Sequence, residues 1–248
     1  MLVHNGLAML NITATVMGRS ETIHPALVWS DTKAVLIDTG YPGQLPLIQE
    51  ALRQEGLRPE QLTDIIITHQ DIDHIGSLPA LLSSNASDIS IEVWSSPIEK
   101  PYIQGEKMLI KISPDAIDQA VAALPPDVPE EKRRAFRYAL EHPPKAAVTQ
   151  LLGYGESGTP IPGFIVIDTP GHTPGHISLY HETSRTLIAA DALTVADGQL
   201  QGPRFNADND EAIRSMKRFF DYPIDQVICY HGGLFRGNVH ARLRELLA

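Results

Sequence analysis

A short apolar run, Asp64-Ile-Ile-Ile67, passes directly into Thr68-His69-Gln70-Asp71-Ile72-Asp73-His74-Ile75-Gly76, and this junction constrains the fold more than any other part of the chain. A continuous run with β-branched residues suits a strand buried on both faces. Two histidines and two aspartates then follow within a span of six positions, 69–74. Burying such groups side by side is costly unless each is paired. A single solvated loop could hold all four, but bound metal explains the cluster better. Imidazole nitrogen and carboxylate oxygen suit Zn²⁺, Mn²⁺ or Fe²⁺, and no thiolate is offered here.

Other acids and histidines stand at the same kind of position. Ala34-Val-Leu-Ile37 reads as a strand closed by Asp38-Thr39-Gly40. Gly163-Phe-Ile-Val-Ile-Asp168 leads into Thr-Pro-Gly-His172-Thr-Pro-Gly-His176, where glycine and proline fix a tight loop. Thr186-Leu-Ile-Ala-Ala190 ends on Asp191, and Gln226-Val-Ile-Cys-Tyr230 ends on His231-Gly232-Gly233. Taken singly, a strand-end aspartate is usually a cap and a lone histidine is usually no ligand. Their shared placement is what gives them weight. The halves also echo each other: Val35–Asp38, a helix and Ile65–His69 are matched by Leu187–Asp191, a helix and Val227–His231.

Ala26–Trp29 and Ile177–Tyr180 read as further strands. Residues 44–55 carry apolar positions at 45, 48 and 52, which suits a helix stopped by Gly56. Helices are also expected over 208–220, with Asp208 or Asp210 as N-cap, and over 238–247. Between Pro97 and Pro162 prolines are frequent, which predicts a helical, cap-like insertion over about 97–160 with helices near 114–124 and 129–142. The second carries Glu130, Glu131, Lys132, Arg133, Arg134 and Arg137. It reads either as a solvated face or as a cap over an active site.

At 248 residues with 43% apolar composition, the chain is expected to form one domain over 1–248, burying roughly 70–75% of its unfolded surface. A net charge of −10 disfavours nucleic-acid and anionic-membrane partners and leaves a small-molecule substrate as the expectation. Cys229 is the only cysteine, so no intramolecular disulfide forms, which suits the cytoplasm. Met1-Leu-Val-His-Asn-Gly lacks the basic-then-apolar pattern of a signal peptide. No run approaches the ~18 apolar residues of a membrane span.

The ordered set of motifs resembles the metallo-β-lactamase-fold hydrolases, the superfamily of glyoxalase II, acyl-homoserine lactonases and ribonuclease Z. That family's pattern is His-x-His-x-Asp-His followed by a distant His, Asp and His, and the resemblance spans roughly residues 24–235. It implies an α/β fold, a four-layer αββα sandwich with a helical insertion. It further implies a first metal site of His69, Asp71 and His172, a second of Asp73, His74 and His231, and Asp191 as bridging carboxylate. Asp38 resembles the strand-end aspartate that supports the site from behind, and His176 a residue that orients a ligand by hydrogen bonding. Asp71 departs from the family, which has histidine there. The harder oxygen donor shifts preference toward Mn²⁺ or Fe²⁺ relative to Zn²⁺.

The resemblance implies two divalent ions and hydrolysis of a small ester, lactone or thioester by metal-activated water, with Asp73 and Asp191 as catalytic carboxylates. Ser77 and Ser178 lie near the motifs, but neither sits in a Gly-x-Ser-x-Gly elbow. Tyr154, Tyr180, Tyr222, Tyr230 and Phe205 are candidates for a pocket wall, and Arg204 and Asn206 for an anion contact. Two alternatives stay open. One is a mononuclear iron oxidoreductase of the persulfide dioxygenase type, with two histidines and one carboxylate on the iron. The other is a phosphodiesterase or nuclease, which the acidic balance disfavours. The motifs lie nearer the glyoxalase and lactonase side than antibiotic-degrading enzymes, and fold alone does not fix function.

Overall fold

A computed structural model describes residues 1–16, 19–84, 90–155 and 159–248. Its centre is a pair of sheets. The first has seven strands in the spatial order Leu2–His4, Leu7–Met9, Ala26–Trp29, Ala34–Ile37, Asp64–Ile66, Glu92–Ser95 and Gln150–Leu151. The second has five, in the order Phe164–Asp168, Ile177–His181, Thr186–Ala190, Gln226–Cys229 and Gly233–Arg236.

Alternation along each strand sorts side chains to opposite faces. Val35 and Ile37 join Val28 and Ile66 against Val166, Leu179, Ile188 and Ile228 of the second sheet, forming the layer between the sheets. Leu36, Ile65 and Ile67 point the other way, onto Ile48 and Leu52 of helix Leu45–Gln54 and Leu78 and Leu81 of helix Leu78–Ser84. On the far side, Leu187, Ala189, Val227 and Cys229 pack on Met216, Phe219, Val239 and Leu243. Helix, sheet, sheet and helix therefore stack as four layers, and the inner strands read as unbroken apolar runs because both faces are covered.

The echo between the halves has a structural basis. Ala34–Ile37 pairs in parallel with Asp64–Ile66, and Thr186–Ala190 pairs in parallel with Gln226–Cys229. A parallel pair needs a crossover, and each contains a helix, Leu45–Gln54 in one and Asn209–Met216 in the other. Each unit thus brings an acid and a histidine to the carboxyl ends of neighbouring strands.

Several expectations are refined. The helix expected over 208–220 is an α-helix, Asn209–Met216, continued by a 3-10 turn, Lys217–Asp221. Its N-cap is Asp208, which accepts from the Glu211 N–H at 2.9 Å. Glu92–Ser95, Gly233–Arg236, the hairpin Ile12–Val16/Arg19–Ile23 and the pair Thr194–Ala196/Gln199–Gln201 carry no strong sequence signal and are strands all the same. Their partners are supplied by the sheet or the turn rather than by their own apolar content. Within the middle segment the helices are Pro114–Ala122 and Glu130–Glu141; positions 156–158 of that segment lie outside the described residues. Glu130–Glu141 buries no residue, and Arg137 pairs with Asp118 at 2.6 Å and Glu141 at 3.5 Å on a solvated face, while Arg133 turns to the neighbouring helix and donates to the Val121 and Leu124 carbonyls, both at 3.2 Å. Among the described residues no helix is long and apolar enough to cross a membrane.

Gly171 joins this scaffold to the chemistry. Its φ is +127°, and a Cβ there would run into the backbone of Ala212 in the first half of helix Asn209–Met216. Its carbonyl also accepts from the Asp208 N–H at 2.9 Å. Gly171→Ala is expected to destabilise the fold by about 2 kcal/mol or more, lowering the melting midpoint by about 5 °C. An unchanged midpoint in a thermal melt would show that the loop yields without cost.

Candidate metal centre

The loop after strand Asp64–Ile66 stays buried through Thr68, His69 and Gln70. Asp71 is extended and opens the short helix Ile72–Ile75, which carries Asp73 in its first turn and His74 in its last. His172 comes from the loop after Phe164–Asp168, Asp191 from the end of Thr186–Ala190, and His231 from the end of Gln226–Cys229.

These side chains meet in two adjoining groups. In the first, Asp71 Oδ2 lies 3.5 Å from His69 Nε2 and 3.0 Å from His172 Nε2. In the second, Asp73 Oδ2 lies 3.7 Å from His74 Nε2 and 3.1 Å from His231 Nε2. Asp191 stands between them: Oδ2 is 3.3 Å from His172 Nε2 and 3.5 Å from His231 Nε2, and Oδ1 is 3.4 Å from His74 Nε2. Such separations match donors held about 2.0–2.1 Å from a shared tetrahedral ion. His69 Nε2, His74 Nε2 and Asp191 Oδ1 are buried without any hydrogen-bond partner. Orphaned polar atoms of this kind cost about 1–3 kcal/mol each, and three converging at one place fit a site for cations.

Hydrogen bonds behind the donors determine which nitrogen each ring presents. Asp38, at φ +66° and almost fully buried, accepts from Thr68 N–H at 2.9 Å, Thr68 Oγ1–H at 2.8 Å and His74 Nδ1–H at 2.9 Å. Because the Thr68 hydroxyl gives its proton to a carboxylate, it accepts from His69 Nδ1–H at 3.1 Å. His172 Nδ1–H donates to the Arg204 carbonyl at 2.9 Å. In all three rings Nδ1 is engaged, so Nε2 is the nitrogen presented to the centre. His176 is turned otherwise: Nε2 accepts from the Asp191 backbone N–H at 3.2 Å and Nδ1 lies 2.9 Å from Thr169 Oγ1, so it orients Asp191 rather than facing the donor groups.

Electrostatics point the same way. Burial opposes ionisation of Asp71 and Asp191, yet the neighbouring histidines, and Lys111 beside Asp71, hold both carboxyls well below the usual range. Burial likewise disfavours charge on His231, but Asp191 and Asp73 raise it to about 10. Buried His69, beside His74, falls to about 4 and is a neutral donor. The aspartates thus create a local excess of negative charge that a divalent ion would neutralise.

Residues without a sequence signal complete the frame. Buried Glu99 accepts from Gln70 N–H at 3.0 Å and Gln70 Nε2 at 2.9 Å through Oε2, and from Thr173 Oγ1 and Gly175 N–H, both at 2.8 Å, through Oε1. One carboxylate therefore braces the loops of His69 and His172. Burial raises its pKa, and these donors counter the shift. Tyr230 stacks on His74 with ring centroids 3.8 Å apart and donates to the Asp73 carbonyl at 2.5 Å. Lys111 enters from the middle segment, 2.5 Å from Asp71 Oδ2. Gln70 was detectable as the residue between two ligand candidates; Glu99 and Lys111 lie in a segment with no metal-binding pattern.

Asp71, Asp73, His172, Asp191 and His231 floor a cleft of about 460 Å³ whose remaining walls are Glu21, Tyr41, Thr194, Val195, Arg204 and Phe205. Phe205 is 87% exposed at φ +52°, presenting its ring to the mouth. The other aromatic candidates are placed elsewhere. Tyr180 packs on Tyr222 at 5.0 Å and donates to the Pro223 carbonyl at 2.8 Å, and neither lines the cleft, nor does Tyr154. Asn206 ties its loop to Asn209 at 2.9 Å, and its Oδ1 lies 3.4 Å from His172 Nδ1, behind that donor. Ser77 and Ser178 donate to the carbonyls of Tyr41 at 2.6 Å and Ala189 at 3.1 Å, and serve the scaffold.

Comparison with known proteins agrees with this geometry. The probable metallo-hydrolase YflN of Bacillus subtilis is 29% identical over 231 residues, covering 86% of this chain and 80% of that one. The uncharacterized protein YobT of the same organism is also 29% identical over 231 residues, covering 89% and 87%. Among solved structures, a metallo-beta-lactamase family protein of Thermus thermophilus superposes with a TM-score of 0.68 at 23% identity, over 99% of this chain and 79% of that one. A metallo-beta-lactamase of Pontibacter korlensis gives 0.66 at 15% identity, over 100% and 97%. The family model for the metallo-beta-lactamase superfamily matches residues 23–231, a span that contains every donor of both groups, and the chain belongs to that superfamily.

Proposed function

We propose that the chain is a dinuclear metal-dependent hydrolase acting on a small ester, lactone or thioester. The observation that carries this reading is the pair of donor groups with Asp191 between them, three of whose buried atoms have no hydrogen-bond partner, beside an open cleft lined by Asp71, Asp73, His172, Asp191 and His231. His69, Asp71 and His172 would hold one ion, Asp73, His74 and His231 the other, with Asp191 between. When bound, the ions supply a water nucleophile ionised near neutral pH and a Lewis acid for the substrate oxygen. Zn²⁺ suits the imidazoles, and the carboxylate of Asp71 widens the choice to Mn²⁺ or Fe²⁺.

The chain's own residues do the rest. Asp73, partly open to the cleft, is placed to take a proton and pass it to the leaving group. Tyr41, Val195 and Phe205 offer apolar surface for a small organic acyl group, with Arg204 beside them. A polyanion is disfavoured by the chain's net charge of −10.

Metal content per chain, measured with a panel of lactone, thioester, aryl ester and phosphodiester substrates after reconstitution with Zn²⁺, Mn²⁺ or Fe²⁺, tests the proposal. Two ions per chain are expected, with a carboxylic substrate turned over at least about tenfold faster than the phosphodiester. One iron per chain, oxygen consumption and no hydrolysis would replace it with the mononuclear oxidoreductase.

A further inference from the structure

Lys111 stands where the first group of donors converges. Its Nζ lies 2.5 Å from Asp71 Oδ2 and 2.7 Å from His172 Nε2. His172 gives its Nδ1 proton to the Arg204 carbonyl, so Nε2 accepts from the ammonium with the same lone pair that would bind a metal ion. The ammonium thereby uses two of the donor atoms of that group. An ion about 2.0–2.2 Å from both atoms would need the volume that Nζ fills, so the two cannot be present together.

This placement is built into the fold. The preceding residue, Ile110, donates its N–H to Gln70 Oε1 at 2.7 Å, and Gln70 is held by Glu99, which also braces the loop of His172. The lysine stem therefore starts from a fixed point beside the two loops that carry Asp71 and His172, and its side chain is only 22% exposed. The second group has no such occupant. Among the described residues, the ion pairs of Asp73 are with His74 and His231, and neither it nor Asp191 pairs with a lysine or arginine.

We propose that Lys111 is an internal cation competing for the first metal position, so that the second position fills first and the first fills only as the ammonium withdraws. This rests on the reading of the two groups as metal sites. Lys111 is in this sense a positioning residue that sets the order and relative strength of loading.

The test is calorimetric titration of the metal-stripped full-length chain with Zn²⁺ and with Mn²⁺, for wild type, Lys111→Met and Lys111→Arg. Wild type is expected to bind one ion tightly and a second more weakly. Lys111→Met is expected to tighten the weaker ion by about tenfold or more, while Lys111→Arg, which keeps the charge, leaves it weak. The tight ion's affinity, unchanged in both variants, reports that each is folded. A weaker-ion affinity that is unchanged or reduced in Lys111→Met, beside an unchanged tight ion, would overturn the proposal. Failure of wild type to bind either ion would overturn the metal-centre reading itself, and the competition with it.

Discussion

Asp191→Ala is expected to lower kcat/KM by about a thousandfold or more, equivalent to about 4 kcal/mol of transition-state stabilisation, and to leave fewer than two ions per chain. Asp191 is the one carboxylate common to both donor groups, with His172, His231 and His74 at 3.3, 3.5 and 3.4 Å. Removing it deletes a donor from each group at once and leaves buried imidazoles without their shared counter-charge. Its position depends on local strain as well: Ala190 is at φ +48°, and the Asp191 N–H is held by His176. Asp191→Asn keeps the side-chain shape and lacks the charge, so it separates electrostatics from packing. Activity within tenfold of wild type and two retained ions in Asp191→Ala would remove Asp191 from the bridging position.

Asp38→Ala is expected to destabilise the metal-free chain by about 3–5 kcal/mol, a fall in melting midpoint of about 10 °C, and to weaken metal binding by about 10–100-fold. Three donors converge on this nearly inaccessible carboxylate, Thr68 N–H, Thr68 Oγ1–H and His74 Nδ1–H. All three lose their partner together, and the Thr68 hydroxyl no longer has its orientation set for His69. The backbone adds to the effect, because φ is +66° at this position and aspartate tolerates that region better than alanine. Asp38→Asn should therefore recover part of the stability but little of the metal affinity, since an amide also presents donors toward Thr68 and His74. A thermal melt and a metal titration read the two effects separately. Wild-type values for both in Asp38→Ala would mean that the rings hold their orientation without the carboxylate.

Much of this is legible in the sequence. Ile65–Ile67 and Leu187–Ala190 read as buried strands because their apolar character is continuous, and the polar groups closing them mark strand ends. The two halves read alike because each is a parallel pair with a crossover helix, a unit whose pattern is local. Less visible are Glu92–Ser95, paired with Asp64–Ile66 from far back in the sequence, and Gly233–Arg236, which folds back on Gln226–Cys229 across a short turn. Tyr180 and Tyr222 looked as suitable for a pocket wall as Phe205 does, since aromatic character alone does not say whether a ring faces a cleft or a helix layer.

What the sequence by itself determined is the kind of donor available and its attachment to strand ends: His69, Asp71, Asp73 and His74 lie within six consecutive positions, and no folding detail separates them widely. Tertiary structure decided which donor atoms come together, which nitrogen each ring presents, and that Glu99 and Lys111 stand beside them. His172 meets Asp71 across 101 positions, and Lys111 meets it across 40. Contacts at such separations come from how two sheets and their loops pack, and periodicity along the chain carries no information about them.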